Sequence, residues 1–324
     1  MTKVSIEGNK WIVDGIPTYS DIKYRGKSIE GLLLNARMVN AIFDDENPYT
    51  RDIWNYPDTG EWDADRNTNE FVAMLPEYRE HGLAAITVNL QGGAPSGYYR
   101  LNQFREFMHQ KEILGSDSEI WKGLPSPESQ PWDSSGFSPD GSLKIEYTHR
   151  LNRILEKTNQ LSMVVILGLF YFGQDERLQD EKAIKSAVRN ACEWVLSNGY
   201  ENVVIEINNE CSVPKYEHEI LQPHRVHELI KLAKSVSINS RSLLAGTSYG
   251  GNTIPGNDVT KSSDFILMHG NGVTEPSRIS EMIKETRELS DWVDMPILFN
   301  EDDHFEFDKE KNNFNCAINS YAGW

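Results

Sequence analysis

The stretch Glu201-Asn-Val-Val-Ile-Glu-Ile-Asn-Asn-Glu-Cys211 decides how the chain folds. Its β-branched apolar run is typical of a buried strand and stops abruptly at Asn208-Asn209-Glu210. Such polar residues are poor core material, but barrel enzymes carry their catalytic groups at the carboxyl ends of parallel strands. The stretch Met295-Pro-Ile-Leu-Phe-Asn-Glu301 has the same design. The sequence therefore predicts two glutamates, Glu210 and Glu301, each placed by a rigid strand and preceded by asparagine.

Outward from these two stretches, short apolar strands alternate with amphipathic helices. Further strands are predicted over residues 31–35, 83–89, 163–168, 242–247 and 264–269. Helices are predicted over residues 68–81, 143–160, 183–198, 225–236, 276–289 and 313–321. Thr68 is the predicted N-cap of the first helix. Repeated alternation of strand and helix indicates a parallel sheet with helices outside it.

Seven such units and one more strand predict a (β/α)8 barrel in the α/β class. The eighth strand is not visible in the sequence, so either the chain is truncated or the barrel closes irregularly near Trp324. A doubly wound open sheet is the main alternative. No G-x-G-x-x-G loop follows the first strand at Asn35-Ala-Arg37, which disfavours a dinucleotide-binding fold.

A single domain over residues 1–324 is predicted, with two additions to the barrel. Residues 1–19 alternate around Gly8-Asn9 and Asp14-Gly15, which predicts an N-terminal β-hairpin. Residues 92–140 are rich in Gly, Pro, Ser and aromatic residues, which predicts a long insertion after the second strand. Loops of this length in compact domains are usually functional, so the insertion is expected to border the cleft.

The composition argues against several classes of partner. The chain carries 32 Lys and Arg against 49 Asp and Glu, a net charge of −17 that repels phosphate backbones and argues against nucleic acid. No apolar run reaches membrane-spanning length. The first residues lack a signal-peptide core, which predicts a cytoplasmic protein, or a periplasmic or secreted one if a leader has been removed. The composition leaves the oligomeric state open.

The two predicted strand-end glutamates suit the cleavage of a glycosidic bond. This reaction needs one carboxyl group that protonates the leaving oxygen, with a raised pKa, and a second that stays ionised and attacks or activates water. Both groups must be held rigidly on either side of the anomeric carbon, and a strand end holds a side chain in this way. The asparagine before Glu210 is expected to hydrogen-bond a sugar hydroxyl.

The pair of strand ends IEINNE and ILFNE, with the leading segment IEGNKWIVDGIP, resembles the clan A glycoside hydrolases, which are cellulase-like (β/α)8 barrels. The resemblance covers most of the chain. It implies that Glu210 is the acid/base, that Glu301 is the nucleophile and that Asn209 binds the sugar. It therefore implies a retaining hydrolase of an oligo- or polysaccharide that needs no cofactor and no metal.

Other positions match the clan to different degrees. His269 matches the His or Tyr that the clan often has at the end of strand six, and Arg37 matches an arginine of its early strands. Two positions depart from the pattern. Cys211 follows the acid/base, where we expect it to pack rather than react, and no tryptophan-bearing eighth strand is evident unless Trp324 supplies it.

Further polar and aromatic residues are candidates for contact with the sugar. The polar candidates lie at the ends of early strands, and the aromatic ones offer an apolar ring with a polar edge. For each aromatic residue, packing inside the protein is an alternative role. The candidates are Asn35, Asn89, Gln91, Tyr249, Tyr171 and Trp132.

Two other functions fit the same residues. His269, Glu301, Asp303 and His304 together have ligand types that suit a metal-dependent barrel enzyme acting on sugars. A carbohydrate-binding barrel without catalysis is the other alternative. A chelator should inactivate the metal-dependent enzyme but leave a glycoside hydrolase unaffected. The carbohydrate-binding barrel would bind oligosaccharide without turnover.

Overall fold

The computed structural model describes residues 1–92 and 130–324, so most of the predicted insertion at 92–140 lies outside the described residues. Within these ranges the chain forms short strands followed by helices. The strands are β1 Val4–Glu7, β2 Lys10–Val13, β3 Ile16–Pro17, β4 Lys23–Tyr24, β5 Lys27–Ser28, β6 Asn35–Arg37, β7 Ala85–Asn89, β8 Val164–Phe170, β9 Val203–Asn208, β10 Ala245–Gly246, β11 Ile266–His269 and β12 Ile297–Glu301. The α-helices are α1 Ala64–Glu80, α2 Ile145–Gln160, α3 Glu181–Ser197, α4 Val226–Ser235, α5 Asn257–Ser262, α6 Ser277–Arg287 and α7 Asn313–Asn319.

The main sheet is parallel. Strands β6 to β10 form one sheet in the order β10-β9-β8-β7-β6, and β11 and β12 form a parallel pair. Helices lie between successive strands, as parallel connections require. The predicted α/β fold class is therefore confirmed.

Hydrogen bonds join the two parallel sheets into a ring. Ser248 bridges to Leu267, which connects the end of β10 to β11. On the other side, Gly323 bridges in parallel to Leu298 of β12. The Trp324 N–H donates to the Leu33 carbonyl at 3.0 Å, and the Asn35 N–H donates to the Trp324 carbonyl at 2.6 Å. Gly323 and Trp324 thus occupy the position of an eighth strand, in a short and irregular form.

Strand β9 shows how the ring divides into an inside and an outside. Val204 packs in the interior cluster with Leu33 and Leu298, whereas Ile205 and Ile207 belong to the core shared with the helices. Successive side chains of a strand point to opposite faces. Glu206 therefore points inward, as Val204 does, and its residue is fully buried.

Several element boundaries differ from the predicted ones. Helix α1 begins at Ala64, because the Asp63 carboxylate rather than Thr68 caps it, accepting from the Arg66 N–H at 2.9 Å. Thr68 lies inside the helix, where its hydroxyl donates to the Ala41 carbonyl. The short helix α5 was not predicted, since six residues give too little periodicity to detect.

The N-terminal segment forms a small antiparallel sheet. The predicted hairpin corresponds to β1 and β2, and β3 pairs with β2 to add a third strand. The sheet is joined to the barrel because the Val4 N–H donates to the Glu201 carbonyl at 2.8 Å, just before β9. Among the helices in the described ranges, none is both long and apolar enough to cross a membrane.

Candidate active site

The candidate site lies at the carboxyl ends of the parallel strands. Arg37 ends β6, His269 ends β11 and Glu301 ends β12. Asn209 and Glu210 follow β9 directly. Because parallel strands run in one direction, their carboxyl ends bring these five residues to the same rim of the barrel.

His269 connects the two glutamates. Its Nδ1 lies 2.9 Å from Glu210 Oε1 and 3.8 Å from Glu301 Oε2. One carboxylate oxygen of each glutamate and one ring nitrogen of His269 lie within 4.8 Å of one another. The His269 side chain is fully buried, whereas the two carboxylates keep 14% and 13% of their side-chain surface exposed. The site is thus a rigid pair of carboxylates that a ligand can reach.

Glu210 has an unusual backbone conformation. Its φ is +51°, in the left-handed region that side chains other than glycine rarely adopt. The Glu210 N–H donates to Ser248 Oγ at 2.9 Å, and the Tyr216 hydroxyl donates to the neighbouring Asn209 carbonyl. Backbone strain of this kind persists where the surroundings fix it, often at functional sites. The sharp turn after β9 lets Asn209 and Glu210 both face the rim.

The Arg37 guanidinium spreads its three nitrogens over three acceptors. Its Nε lies 2.5 Å from Glu301 Oε2, and its Nη1 lies 3.6 Å from Glu206 Oε2. Its Nη2 donates to Asn209 Oδ1. The Arg37 side chain is 10% exposed. A buried guanidinium with this geometry fixes the orientation of Glu301 and Asn209 together.

Glu301 and His269 shift each other's pKa toward the charged form. Burial acts to raise the pKa of Glu301, but the charges of Arg37 and His269 and the hydrogen bond from Asn271 outweigh it, so its pKa lies below the ordinary value. Burial acts to lower the pKa of His269, but the Glu301 and Glu210 carboxylates outweigh it, so its pKa lies above the ordinary value. These directions favour an ionised Glu301 and a protonated His269. An ionised carboxylate is the form that attacks carbon.

The predicted binding residues Asn35 and Asn89 lie inside the barrel near this rim. Asn35 Oδ1 accepts from the Thr87 hydroxyl at 2.7 Å, and Asn35 lines the cavity beside Glu301. The Asn89 side chain is buried against Gly168, and its amide oxygen and nitrogen have no hydrogen-bond partner among the described residues. A buried amide without a partner is rare and suits contact with water or a ligand.

The other predicted binding residues make contacts within the protein. The Gln91 Nε2 donates to Ser135 Oγ at 3.0 Å and thereby supports the described last part of the predicted insertion. Trp132 is buried with its ring edge-on to Trp54, at 5.8 Å between centroids. Tyr171 is buried against Gly92, and Tyr249 is buried beside Cys211. None of these contacts, among the described residues, reaches Glu210 or Glu301, so sugar binding by these four residues stays a prediction.

Cys211 lies directly after Glu210. It is 1% exposed, and burial raises the pKa of its thiol. A buried thiol with a raised pKa is a poor nucleophile. This agrees with a packing role for Cys211.

Sequence reasoning missed Glu206. Its carboxylate is fully buried and accepts from Ser248 Oγ at 2.6 Å and from Asn300 Nδ2 at 3.3 Å. Arg37 lies on its third side. The available signal was one acid inside a six-residue strand that was otherwise predicted to be buried, since such an acid needs a partner.

A cavity of about 820 Å³ adjoins the site on the side of Glu301. Arg37 and Glu301 lie on its wall, together with several aromatic residues. Trp324 is one of them, and its ring stacks on Phe299 at 5.6 Å between centroids. Trp324 therefore supplies an aromatic wall at the position where the sequence left one in doubt.

The structure divides the metal-ligand set that the sequence suggested. Among the described residues, two groups could offer three close ligand atoms each. Glu210, His269 and Glu301 form one group, and Asp302, Asp303 and His304 form the other. In the first group Arg37 lies against Glu301 Oε2 at 2.5 Å, where it would compete with a cation.

Comparisons with solved structures show what this fold resembles. A protein from Bacteroides vulgatus that is described as a putative glycoside hydrolase aligns with a TM-score of 0.53 and 11% identity over 99% of this chain. A glycoside hydrolase family 5 enzyme from Prevotella bryantii aligns with a TM-score of 0.53 and 8% identity over 90% of this chain. The β-mannanase of the blue mussel Mytilus edulis aligns with a TM-score of 0.50 and 11% identity over 99% of this chain. Identities this low establish similarity of fold only.

The lengths of these proteins differ. The chain spans about half of the Bacteroides protein (54%), but 87% of the Prevotella chain and 90% of the mussel chain. No model of a known protein family matches the sequence, and no curated protein matches it. The fold thus resembles that of these glycoside hydrolases.

Proposed function

We propose that this chain is a retaining glycoside hydrolase that cleaves O-glycosidic bonds of an oligo- or polysaccharide. One observation carries the proposal: carboxylate oxygens of Glu210 and Glu301 lie within 4.8 Å of each other at the barrel rim. Retaining enzymes hold their two carboxyl groups about 5–5.5 Å apart, whereas inverting enzymes leave about 6.5–9.5 Å for a water molecule. The close pair supports direct attack by one glutamate on the sugar.

In the first step, Glu301 is the nucleophile. A carboxylate oxygen of Glu301 attacks the anomeric carbon, the bond from that carbon to the glycosidic oxygen breaks, and the leaving oxygen takes a proton from Glu210. The product is a covalent glycosyl ester on Glu301. Arg37 and Asn271 support this role, because they hold the Glu301 carboxylate ionised and fixed, with Asn271 Nδ2 at 2.8 Å.

In the second step, the roles of water and Glu210 complete the cycle. The Glu210 carboxylate takes a proton from water, the water oxygen attacks the anomeric carbon, and Glu301 leaves as a carboxylate. Both displacements invert the anomeric carbon, so the configuration is retained overall. His269 supports Glu210 in both steps by holding its carboxylate at 2.9 Å.

Asn209 is the proposed sugar-binding residue. Its Oδ1 is held by Arg37, while its Nδ2 is buried and has no partner among the described residues. A donor fixed in this way is available to a hydroxyl of the sugar next to the cleaved bond. Such hydrogen bonds strengthen in an oxocarbenium-like transition state.

The test is the stereochemistry of the first product. Aryl glycosides of several sugars and a set of polysaccharides that includes mannan are incubated with the protein, and ¹H NMR follows the anomeric signals before mutarotation. We expect turnover with retention on at least one substrate and no change with a chelator. Inversion would overturn the double-displacement mechanism. Binding without turnover on every substrate would instead favour a carbohydrate-binding barrel.

A further inference from the structure

Glu206 belongs to a buried layer directly below the proposed catalytic rim. Side chains of this layer come from several strands and are polar, although they lie inside the barrel. Thr87 donates to Asn35, and Asn300 and Ser248 both donate to Glu206. Two residues earlier on the same strand, Val204 packs in an apolar cluster with Leu33 and Leu298. A buried carboxylate is costly unless it is paired, so its place under the rim needs an explanation.

Two chains of contacts lead from Glu206 to the two proposed catalytic groups. On one side, Arg37 lies between Glu206 Oε2 at 3.6 Å and Glu301 Oε2 at 2.5 Å. On the other side, Ser248 Oγ donates to Glu206 Oε1 at 2.6 Å and accepts from the Glu210 N–H at 2.9 Å. The same hydroxyl therefore supports the strained backbone of Glu210.

We propose that Glu206 is a positioning residue that fixes Arg37 and Ser248, and through them sets the relative placement of Glu210 and Glu301 and the charge of Glu301. This inference rests on the proposed function, since it concerns how the same site works. Glu206 itself touches neither the sugar nor a reacting atom.

Charge makes the inference testable, because Arg37 is shared between two carboxylates. When Glu206 is ionised, it offsets part of the Arg37 charge that acts on Glu301. Without it, Arg37 would hold Glu301 more firmly in the ionised form, so the pKa of Glu301 would fall. Among the described residues, the charged or titratable groups around Glu301 include Arg37 from β6, Glu206 and Glu210 from β9 and the turn after it, and His269 from β11.

The first variant is Glu206→Gln, which keeps the shape and removes the charge. We expect kcat to fall about 10- to 100-fold with little change in KM. This is the range of activity loss seen in metal sites when a group that orients a metal-binding side chain is lost. The acidic limb of the kcat/KM profile, which reports the essential base of the free enzyme, should move to lower pH. Glu206→Asp keeps the charge, so it should restore the acidic limb while kcat stays reduced.

Asp45→Asn is the matched control. Asp45 is also a fully buried acid, but it accepts from Thr50 at 2.6 Å and Trp54 at 2.7 Å, and none of its hydrogen bonds among the described residues involves Arg37, Glu210 or Glu301. Its neutralisation should lower thermal stability and leave the acidic limb in place. If both amide variants move the limb equally, or if Glu206→Gln leaves the limb and kcat unchanged, the inference is wrong.

A second measurement does not depend on turnover. Glutamate labelled with ¹³C at the carboxyl carbon allows the Glu301 titration to be followed by NMR, with Glu301→Gln used for assignment. We expect the Glu301 midpoint to be lower in Glu206→Gln than in the unmodified protein and in Glu206→Asp. If the unmodified protein hydrolyses no glycoside, the proposed function fails, while this titration still decides the role of Glu206. An unchanged midpoint in Glu206→Gln would overturn that role.

Discussion

Two carboxylate–histidine groups lie next to each other in this molecule, and they differ in burial and in charge. The first is the rim group Glu210, His269 and Glu301, and the second is the neighbouring triplet Asp302-Asp303-His304. In the rim group the side chains are 0–14% exposed and Arg37 lies against Glu301. In the triplet, Asp303 is 55% exposed and His304 is 23% exposed.

The difference shows what makes a group of ionisable residues reactive. Both groups bring three ligand atoms within 4.8 Å, so proximity alone does not distinguish them. The rim group is assembled from three separate strands, and burial strengthens its electrostatics. The triplet follows β12 as consecutive residues, and its His304 pairs with the exposed Asp303 at 2.7 Å. We therefore propose that the rim group, and not the triplet, carries the chemistry.

The largest expected effect comes from Glu301→Ala. Loss of the nucleophile should abolish hydrolysis on every leaving group, with a reduction on the order of the 10⁶-fold that is seen when a protease loses its nucleophile. The measurement is kcat/KM on aryl glycosides with good and poor leaving groups. Circular dichroism serves as the control for folding. If the variant keeps activity within about tenfold of the unmodified protein, Glu301 is not the nucleophile and another residue has that role.

Glu210→Ala should have a smaller effect that depends on the leaving group. General acid–base assistance contributes roughly 10²–10⁴-fold, and an acidic phenol leaves without much of it. The variant should therefore retain substantial formation of the glycosyl ester from a dinitrophenyl glycoside. Azide needs no general base, so it should restore turnover and give a glycosyl azide of retained configuration, which NMR identifies. An inverted azide would exchange the roles of Glu210 and Glu301.

The sequence predicted those residues of the site that directly follow a short, recognisable strand pattern. Glu210 and Glu301 could be predicted because each follows a short apolar run that identifies a strand by itself. The ring of parallel strands followed from the same repetition. The eighth strand could not be predicted, because Gly323 and Trp324 pair with β12 and β6 over too few residues to show a period.

Glu206 shows why other residues of the site could not be predicted from the sequence. The residue is visible as an acid in a buried strand, but its partners are distant in sequence: Ser248 is 42 residues away and Asn300 is 94. Only the register of β9 against its neighbours shows that these side chains meet. The predicted N-cap of α1 was wrong because Asp63 and Thr68 are both residue types that cap helices well. The local sequence does not distinguish between them.

A third prediction compares the two histidines through the pH dependence of stability. The pKa of His269 is raised in the folded protein, so its charge stabilises the fold below the unfolded value of about 6.5. This contribution is lost as pH rises through the folded pKa. In urea unfolding from about pH 6 to about pH 9, the free energy of unfolding should therefore fall more steeply for the unmodified protein than for His269→Gln. His304→Gln is the comparison variant, because it removes an imidazole that is 23% exposed instead of one that is fully buried. Parallel curves for the unmodified protein and His269→Gln would show that folding does not raise the pKa of His269.

The smallest effect is expected from the triplet itself, in the double variant Asp303→Asn with His304→Gln. Exposed ion pairs contribute about 0–1 kcal/mol, and solvent screens their charges. If the triplet is only a solvated turn, kcat/KM should stay within about twofold, because even 0.4 kcal/mol corresponds to about that factor. A chelator and added divalent cations should also leave the activity unchanged. The experiment compares kcat/KM of both proteins with and without EDTA. A loss of more than about tenfold in the variant, together with EDTA sensitivity in the unmodified protein, would instead assign a metal site to the triplet, because its ligand types suit a divalent cation.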